Sequence, residues 1–347
     1  MRLLSHIIIS AAAALSSLVL CGCGTPAGAI LSPSGPAPVW PPAPETARLR
    51  YLGEIRADRD LKPARNFCQH VGDTLFGDAE ARVMTSPLAV CTDGASRVFV
   101  ADSNARAIHV FDLDTREYAV WSPPEDGFAT PVSVTFDPSG RVLVSDSTKA
   151  CIFTFDLAGK FTGTLGLGVL KRPCGAAIGA DGRIFVADVG AHQIIVFSRE
   201  GEEVGRVGER GSELGKFNYP TNLVFDHAGQ LYVSDSLNFR VQVFSPELKF
   251  IRKIGSKGDV PGCFSQPKGL AVDADDHVYV VDANFEAVQV FDREGSLLMS
   301  FGREGRGPGE FWLPAGIHID ANGRVWIADS YNQRVQVFEY LREGVGP

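Results

Sequence analysis

The sequence lacks an excess of positive charge. Its 347 residues include 33 Lys and Arg against 41 Asp and Glu, which gives a formal net charge of −8. A protein that binds phosphate backbones usually presents a basic face, so nucleic acid is not expected among its partners. Apolar residues are not scarce: 45% of the chain is hydrophobic, which is enough to build a core and excludes global disorder.

The apolar run at the N-terminus is too short to span a bilayer. It covers the 14 residues Ile7–Leu20 and predicts the hydrophobic region of an export signal. The run ends in Leu20-Cys21-Gly22-Cys23, which resembles the lipobox of bacterial lipoproteins. We therefore predict a signal peptide over residues 1–22 and a lipid on Cys23. Lipidation of Cys21 and a plain secretory signal are the alternatives.

Proline is frequent in the stretch that follows. Residues 23–47 hold seven Pro among Ala, Gly and Ser, a composition that favours extended polyproline conformations over a packed core. We predict that this stretch is a semi-rigid tether between the lipid and a folded domain. Gly24 stands where an Asp would resemble the inner-membrane retention signal, so the predicted location is the outer membrane of the bacterial envelope.

The rest of the chain repeats one unit six times. Each unit begins at a Pro, at intervals of 44, 42, 47, 47 and 47 residues, and an Asp after an apolar run follows 15 residues later. The prolines are Pro87, Pro131, Pro173, Pro220, Pro267 and Pro314, and the acids are Asp102, Asp146, Asp188, Asp235, Asp282 and Asp329. Self-similarity of this length predicts a repeat architecture.

Each unit predicts four short strands. In the fifth unit they are Gly269–Asp273, His277–Asp282, Ala287–Asp292 and Leu297–Phe301. Units of this length with four strands are propeller blades, so we predict an all-β, six-bladed β-propeller over residues 48–347. The last unit stops after its third strand. The segment Arg50–Gly53 matches the missing fourth strand and is expected to close the ring.

Residues 54–86 are an insertion between the closing strand and the first blade. Phe67, Val71 and Leu75 recur at helical spacing, which predicts a short helix packed across the propeller. A helix that faces a partner or a membrane surface is the alternative.

The motifs of the later blades resemble those of one repeat family. They are Asp235-x-x-Asn238-x-Arg240-Val-Gln-Val-Phe244, Gly302-x-x-Gly305-x-x-x-Gly309-x-Phe311 and Asp329-x-x-Asn332-x-Arg334-Val-Gln-Val-Phe338. Over residues 48–347 the chain resembles the NHL-repeat family of six-bladed propellers, here as a bacterial lipoprotein. Blades one to three depart from the pattern. The resemblance implies the fold and leaves function open among binding platforms, lyases and lactonases.

Two sets of residues could be read as metal ligands, and the sequence supports a metal site at neither set. The six repeated Asp residues lie one strand spacing outside the channel, too far apart to share a cation, and are expected to accept backbone N–H groups in their own turns. Lyases of this fold class hold a metal with His and carboxylates of the innermost strands, and here only His318 occupies such a slot. We predict no metal, no cofactor and no catalytic residue, with His318 as the ligand only if the lyase alternative holds.

Other patterns have structural explanations. No Ser/His/Asp spacing indicates a catalytic triad. The glycine-rich loops lead into strands rather than helices, so they are predicted as turns anchored by Phe217, Phe264 and Phe311 rather than as phosphate loops.

Cysteine is sparse and its count is odd. Five remain after lipidation of Cys23 and loss of the signal peptide, so at least one stays free in a compartment that permits disulfides. Cys151 and Cys174 are expected toward the same face of adjacent blades and form the preferred pair. Buried free thiols are the alternative.

A set of apolar side chains on loops gives the strongest functional signal. In propellers the loops between strands two and three share one face with the loops between blades. On blades four to six these loops carry Tyr219, Leu237, Phe239, Phe285, Trp312 and Tyr331, with Asn222 and Lys268 at the mouth of the channel. Clustered aromatics on one face predict an interaction site. The alternative is that several fold inward as anchors between loops.

These features together predict a lipid-anchored propeller of the cell envelope that binds a protein or peptide partner without catalysis. Two alternatives stay open. One is a metal-dependent lyase or lactonase with its site in the central channel. The other is a structural subunit of an envelope complex.

Overall fold

The computed structural model describes residues 28–33, 35–62 and 81–341, which form a ring of six antiparallel sheets. The predicted signal peptide, Cys23 and the predicted helix at Phe67, Val71 and Leu75 lie outside the described residues. Within the described part of the chain, no helix is long and apolar enough to cross a membrane.

Five of the six sheets consist of four consecutive strands. The chain opens with β1 (Val39–Trp40) and β2 (Leu49–Ile55). Blade one contains β3 (Pro87–Thr92), β4 (Arg97–Asp102), β5 (Ala107–Asp112) and β6 (Glu117–Trp121). Blade two contains β7 (Pro131–Asp137), β8 (Arg141–Asp146), β9 (Cys151–Asp156) and β10 (Phe161–Leu165). Blade three contains β11 (Pro173–Ile178), β12 (Ile184–Asp188), β13 (Gln193–Phe197) and β14 (Glu203–Val207).

The remaining blades follow the same order. Blade four contains β15 (Pro220–Phe225), β16 (Leu231–Asp235), β17 (Arg240–Phe244) and β18 (Phe250–Ile254). Blade five contains β19 (Pro267–Val272), β20 (Val278–Asp282), β21 (Ala287–Phe291) and β22 (Leu297–Phe301). Blade six contains β23 (Pro314–Ile319), β24 (Arg324–Asp329) and β25 (Arg334–Tyr340), followed outward by β2 and β1. Short 3₁₀ helices are described at Asp58–Leu61, Ser236–Asn238 and Ser330–Asn332.

Burial along a strand depends on the position of that strand in its blade. The second and third strands are buried at nearly every residue, and β16 and β17 at all of them, because adjacent blades cover both faces of the sheet. The fourth strands, such as β22, alternate between half-buried and exposed residues because they form the rim. Six apolar clusters fill the six interfaces between blades and make up the core.

The repeat markers have the positions that the sequence predicts. Each repeated Pro begins the first strand of its blade, and each repeated Asp ends the second strand. The two residues are paired across the sheet in every blade, for example Pro87 with Asp102 and Pro267 with Asp282. The predicted six blades of four strands are therefore confirmed.

The ring is closed by the N-terminal strand. β2 pairs antiparallel with β25, from Leu49 opposite Tyr340 to Ile55 opposite Val335. The predicted closing segment Arg50–Gly53 lies within β2, so this prediction is also confirmed. First strands of neighbouring blades contact each other all round the ring, including β23 against β3.

Part of the predicted tether forms a fifth strand on blade six. β1 pairs with β2 through Val39 opposite Arg50 and Trp40 opposite Leu49. The Trp40 ring packs against Phe301 at 6.0 Å and Phe338 at 5.6 Å between ring centroids. Aromatic pairs at these distances stabilise beyond their buried area.

Residues further toward the N-terminus also contact the propeller. Ile30 and Leu31 pack against the apolar cluster between blades six and one. Arg116 donates from Nη2 to the carbonyl oxygen of Gly28 at 2.7 Å. The described residues from 28 to 47 therefore differ from the extended tether that proline content predicts, because their apolar side chains cover surface on the flank of the ring.

The two ends of the ring carry different connections. The loops between strands two and three and the loops that join blades lie at the end where first strands begin, and we call this end the loop face. The turns between strands one and two and between strands three and four lie at the opposite end, the turn face. The first strands line a central channel between the two faces.

Candidate functional site

The six aspartates that end the second strands hold the loop face together. Each has no exposed surface. In blades one, two, three and five the carboxylate accepts backbone N–H groups from both neighbouring loops. Asp188, for example, accepts from Lys171, Arg172, Gly190 and Ala191. The predicted structural role is confirmed, and the sequence missed the bonds from the loop that precedes each blade.

Blades four and six replace some of these backbone donors with side chains. Oδ2 of Asp329 accepts from Asn332 Nδ2 at 2.9 Å, Arg334 Nε at 2.7 Å and Gln336 Nε2 at 3.0 Å. All three donors belong to the motif that blades four and six share. Gln336 also accepts from the backbone N–H of Gly309 at 2.9 Å and so ties the glycine-rich loop to the blade.

The glycine-rich loops before blades four to six are turns anchored by phenylalanine, as predicted. Phe217, Phe264 and Phe311 have no exposed surface. Each forms a parallel bridge with the residue seven positions earlier in its loop. A strand follows each loop, so the loops do not offer the helix N-terminus that a phosphate cradle needs.

The predicted apolar set divides into exposed and half-buried members. Tyr331 is 59% exposed, Leu237 is 48% exposed and Trp312 is 36% exposed. The other three, Tyr219, Phe239 and Phe285, are half-buried. The rings of Trp312 and Tyr331 lie 5.5 Å apart and form one continuous apolar surface.

Sequence reasoning missed three exposed apolar residues on this face. Six of the eleven large apolar side chains that are exposed in the described residues lie in loops of the loop face: Leu167, Leu214, Leu237, Val260, Trp312 and Tyr331. The three that were missed are aliphatic and lie on loops that join blades. Their exposure depends on loop conformation, and the repeat pattern carries no signal for it.

Cations cover three of the aromatic rings on the loop face. The Arg172 guanidinium lies 5.6 Å from the Tyr219 ring centroid, Lys257 Nζ lies 5.0 Å from Phe239, and the Arg306 guanidinium lies 5.0 Å from Trp312. Such contacts contribute modestly at exposed positions and more when a partner excludes water.

Asn222 and Lys268 lie on the innermost strands of blades four and five. Lys268 is the second residue of β19 and is half-buried. Desolvation lowers the pKa of Lys268, and the nearby Cys174, Glu286 and Asp282 partly oppose this effect. Asn222 lines the channel cavity, and its Oδ1 accepts the backbone N–H of Leu223.

The predicted disulfide between Cys151 and Cys174 is wrong, because both residues are free thiols. Cys151 packs in the apolar cluster between blades one and two. Cys174 instead lies at the channel mouth, where burial raises its thiol pKa to about 11 against the opposing charges of Lys268 and Arg172. Cys151 lies on a third strand and Cys174 on a first strand, so the two thiols lie at different distances from the axis of the ring.

A cavity of about 320 Å³ occupies the part of the channel nearer the turn face. First-strand residues of all six blades line it, among them His318. The Nε2 atom of His318 lies 2.9 Å from the Thr92 hydroxyl oxygen. Desolvation lowers the pKa of His318 to about 4, with a smaller opposing effect of the Asp320 carboxylate. This histidine is therefore a neutral, hydrogen-bonded imidazole at pH 7.

The described residues of this cavity do not fit the metal that lyases of this fold class hold. Among them His318 is the only histidine, and none is a carboxylate. Cys91 lines the same cavity, but burial raises the pKa of its thiol and keeps it protonated. A tightly bound divalent cation needs several converging ligands, and here one imidazole stands alone.

One group of metal-ligand side chains meets elsewhere in the described chain. Asp273, Asp275 and His277 come together at the turn between the first two strands of blade five, on the turn face. The Asp273 carboxylate accepts the backbone N–H groups of Asp275 and His277 and the Tyr279 hydroxyl. Its oxygens are engaged in fixing the turn, so a structural role accounts for the group.

Two family models match the chain. The NHL repeat matches residues 311–338 in blade six, and a 6-bladed beta-propeller family matches residues 216–284 in blades four and five. The chain is a six-bladed β-propeller that carries an NHL repeat. Both matches fall on the half of the ring where the sequence motifs are most regular. A search of curated proteins finds no match.

Solved structures with the same fold have diverse functions. Virginiamycin B lyase from Staphylococcus aureus superimposes with a TM-score of 0.56 at 16% identity, covering 74% of this chain and 96% of the lyase. An auxiliary nutrient binding protein from Bacteroides ovatus has a TM-score of 0.59 at 15% identity, with 75% and 70% covered. A gluconolactonase from Xanthomonas campestris has a TM-score of 0.59 at 16% identity, with 74% and 87% covered. At these identities the likeness concerns the fold alone.

Proposed function

We propose that this propeller is a lipid-anchored binding platform of the bacterial envelope that captures a protein or peptide partner on its loop face without catalysis. The observation that carries the proposal is the concentration of exposed apolar side chains on that face. Proteins that act alone rarely expose contiguous apolar surface, and aromatic residues dominate the binding energy of protein interfaces. The fold alone does not identify the function, since similar folds occur in a nutrient binding protein and in a lyase.

The N-terminal segment supports an orientation for this platform. With a lipid on Cys23, only residues 24–27 separate the anchor from Gly28, which is bonded to Arg116 on the flank of blade one. Five residues of extended chain reach at most about 18 Å. Arg116 belongs to the turn between strands three and four, so the anchor would hold this flank close to the bilayer. The loop face would then point away from the membrane and meet partners in the periplasm or outside the cell.

A site-specific cross-linking experiment tests the proposal. The photoreactive amino acid p-benzoylphenylalanine replaces Tyr331 in the full chain. This variant is expressed in the bacterium that naturally produces the protein, so that its envelope partners are present. Irradiation should yield a discrete adduct with an envelope protein or peptide, and Trp312→Ala should weaken it at least several-fold because the neighbouring ring is lost. The same probe at Leu298, which is 51% exposed on the outer strand of blade five, is the matched control. Equal adducts at the two positions, or none at Tyr331, would refute the proposal.

The channel gives a second candidate function, a lyase or lactonase with His318 near its centre. The observation that favours it is the cavity of about 320 Å³ with an imidazole in its wall. The donor set described above argues against a metal-dependent version. Elemental analysis of the purified full chain for zinc, calcium and iron separates the candidates: about one tightly held metal per chain would favour the enzyme. A structural subunit of an envelope complex would instead give a stable assembly that survives purification.

A further inference from the structure

The Lys268 side chain has an unusual position for a cation. It is half-buried at the channel mouth, close enough to the Cys174 thiol for the two groups to affect each other's pKa. No ion pair or hydrogen bond to Nζ is found among the described residues. The two carboxylates that act on its pKa have other partners: Asp282 accepts backbone N–H groups, and Glu286 accepts that of Leu313. A half-desolvated ammonium without a partner is a site that an anion would stabilise.

The mouth around Lys268 lies where the six first strands begin. It is lined by the second residues of the six first strands: Leu88, Val132, Cys174, Thr221, Lys268 and Ala315. Lys268 is the only charged member of this ring. One residue deeper, glycines bring neighbouring strands together; a Cβ on Gly269 would lie 2.5 Å from the carbonyl oxygen of Ala315, and one on Gly175 2.9 Å from that of Thr221.

Further cations without ion-pair partners lie on the loops of the same face. Among the described residues of the loops around blades three to six, they are Lys171, Arg172, Arg210, Lys257 and Arg306. Three of these lie over aromatic rings, as described above, and Arg172 also acts on the Cys174 thiol. The acids of the same loops are mostly paired: Glu310 with Arg303, and Glu209 and Glu213 with Lys216. Asp259, Glu286 and Glu304 remain without ion pairs there, so unpaired cations outnumber unpaired acids on this part of an acidic protein.

This distribution of charge indicates the chemistry of the partner. We propose that the loop face binds an acidic peptide segment, with one carboxylate in the mouth between Lys268 and Arg172. Neighbouring carboxylates of the segment meet Arg306 and Lys257, while its apolar side chains contact Trp312 and Tyr331. The inference rests on the proposed function, since it names the partner class of the same face. Nucleic acid fits poorly, because a protein of net charge −8 repels a dense polyanion.

The test uses the full chain in detergent and two defined peptides. The probe is acetyl-Glu-Phe-Glu-Ala-Glu-Phe-Glu-Ala-amide with an uncharged fluorophore, and the reference is the same peptide with Gln in place of Glu. Fluorescence anisotropy should detect binding of the acidic peptide, weakened by added salt, and little binding of the neutral one. Lys268→Met with Arg172→Gln should raise the Kd of the acidic peptide by about tenfold or more, because both charge-assisted contacts are lost.

A charge-matched variant and a labelling experiment locate the site. Lys253→Met with Arg199→Gln removes the same charges from exposed positions on the outer strand of blade four and the turn face of blade three; the Kd should change by less than about twofold. The acidic peptide should also slow alkylation of Cys174 by neutral iodoacetamide, whereas the neutral peptide should leave the rate unchanged. This readout does not depend on any variant.

Several results would overturn the inference. They are equal binding of the neutral peptide, equal weakening by the control variant, binding of an oligouridylate as tight as that of the acidic peptide, or no protection of Cys174. If the Tyr331 adduct forms but the acidic peptide does not bind, this inference fails while the proposed function stands. If neither is observed, both fail.

Discussion

Nη1 of Arg334 lies 2.6 Å from Oε2 of Glu54, an ion pair that joins the last strand of the chain to the strand that closes the ring. Arg334 is 1% exposed. Its Nη1 also donates to the carbonyl oxygen of Arg306, Nε donates to Asp329, and Nη2 donates to the carbonyl oxygens of Gly307 and Glu310 in the preceding loop. Burial raises the Glu54 pKa, but hydrogen bonds from Arg56 and the charge of Arg334 outweigh it, so the net shift is downward. One motif arginine thus connects the repeat, the glycine-rich loop and the closure of the propeller.

Replacing Arg334 should destabilise the ring strongly. Arg334→Met leaves the buried Asp329 carboxylate without its cation and the Arg306 carbonyl oxygen without its donor. The carbonyl oxygens of Gly307 and Glu310 lose one of two donors each. Breaking a buried pair from one side costs about 3–5 kcal/mol of unfolding free energy. Arg50→Gln, which removes an exposed ion pair with Glu339, should cost less than about 1 kcal/mol. Denaturant unfolding followed by tryptophan fluorescence measures both, and equal losses would show that the network does not hold the ring.

The repeated features of the fold were predictable because they obey local rules. Pro267 and Asp282 face each other at the same ends of their strands as in every other blade, and six copies make such a rule visible in the sequence. The apolar loop residues Trp312 and Tyr331 were predictable for a similar reason, since loop positions follow from strand positions.

Features without a repeated counterpart were not predictable. Trp40 lies in a proline-rich stretch, and only the tertiary structure shows that Phe301 and Phe338 provide a surface for it. Spacing placed Cys151 and Cys174 at a similar height, but it could not give the direction of each side chain around the ring. The bond from Gln336 to the carbonyl oxygen of Glu310 joins residues 26 apart, beyond the reach of local pattern.

Gly302 is required for the conformation and for the close packing of its loop. Its φ is +91°, and a Cβ there would lie 2.4 Å from the buried Phe311 ring. Gly302→Ala should therefore combine backbone strain with a clash and cost about 2–4 kcal/mol. Gly323, in a turn of blade six, also has a positive φ of +78°, but a Cβ there would meet no other group within 4 Å.

Gly323→Ala is the matched control, because it isolates backbone strain at about 1 kcal/mol. Unfolding midpoints in guanidinium chloride give the two values. Losses of the same size would mean that the Phe311 ring moves aside without cost, against its role as an anchor.

Stability should fall on acidification through His318. Its pKa in the folded protein is about 4, below the ordinary value of about 6.5. Between these two pH values the unfolded chain binds a proton at His318 and the folded protein does not. The neutral His318 therefore contributes up to about 3 kcal/mol to the free energy of unfolding. This contribution is complete above about pH 6.5 and is lost as the pH falls toward 4. Unfolding measured from pH 7 to pH 4 should show a smaller loss for His318→Gln, whose amide can still bond to Thr92.

His227→Gln is the control for this experiment, because the His227 side chain is 65% exposed on the turn face. It should follow the wild-type pH dependence more closely than His318→Gln does. Identical curves for all three proteins would show that His318 titrates normally and that the channel is open to water.

Without any reductant, iodoacetamide should alkylate Cys151 and Cys174 at different rates in the native protein. Cys151 is 2% exposed between blades one and two, so iodoacetamide should reach it only after unfolding. Cys174 is half-buried at the channel mouth, and its raised pKa of about 11 should make labelling of the native protein slow but measurable, and faster at higher pH. Peptide mass spectrometry of the native and unfolded protein follows both residues, with the half-buried Cys263 as an internal reference.

A disulfide would leave both Cys151 and Cys174 unlabelled even in the unfolded, unreduced chain. That result would require the Cys174 side chain to turn away from Lys268, and it would remove the neutral thiol from the mouth where we place the partner's carboxylate.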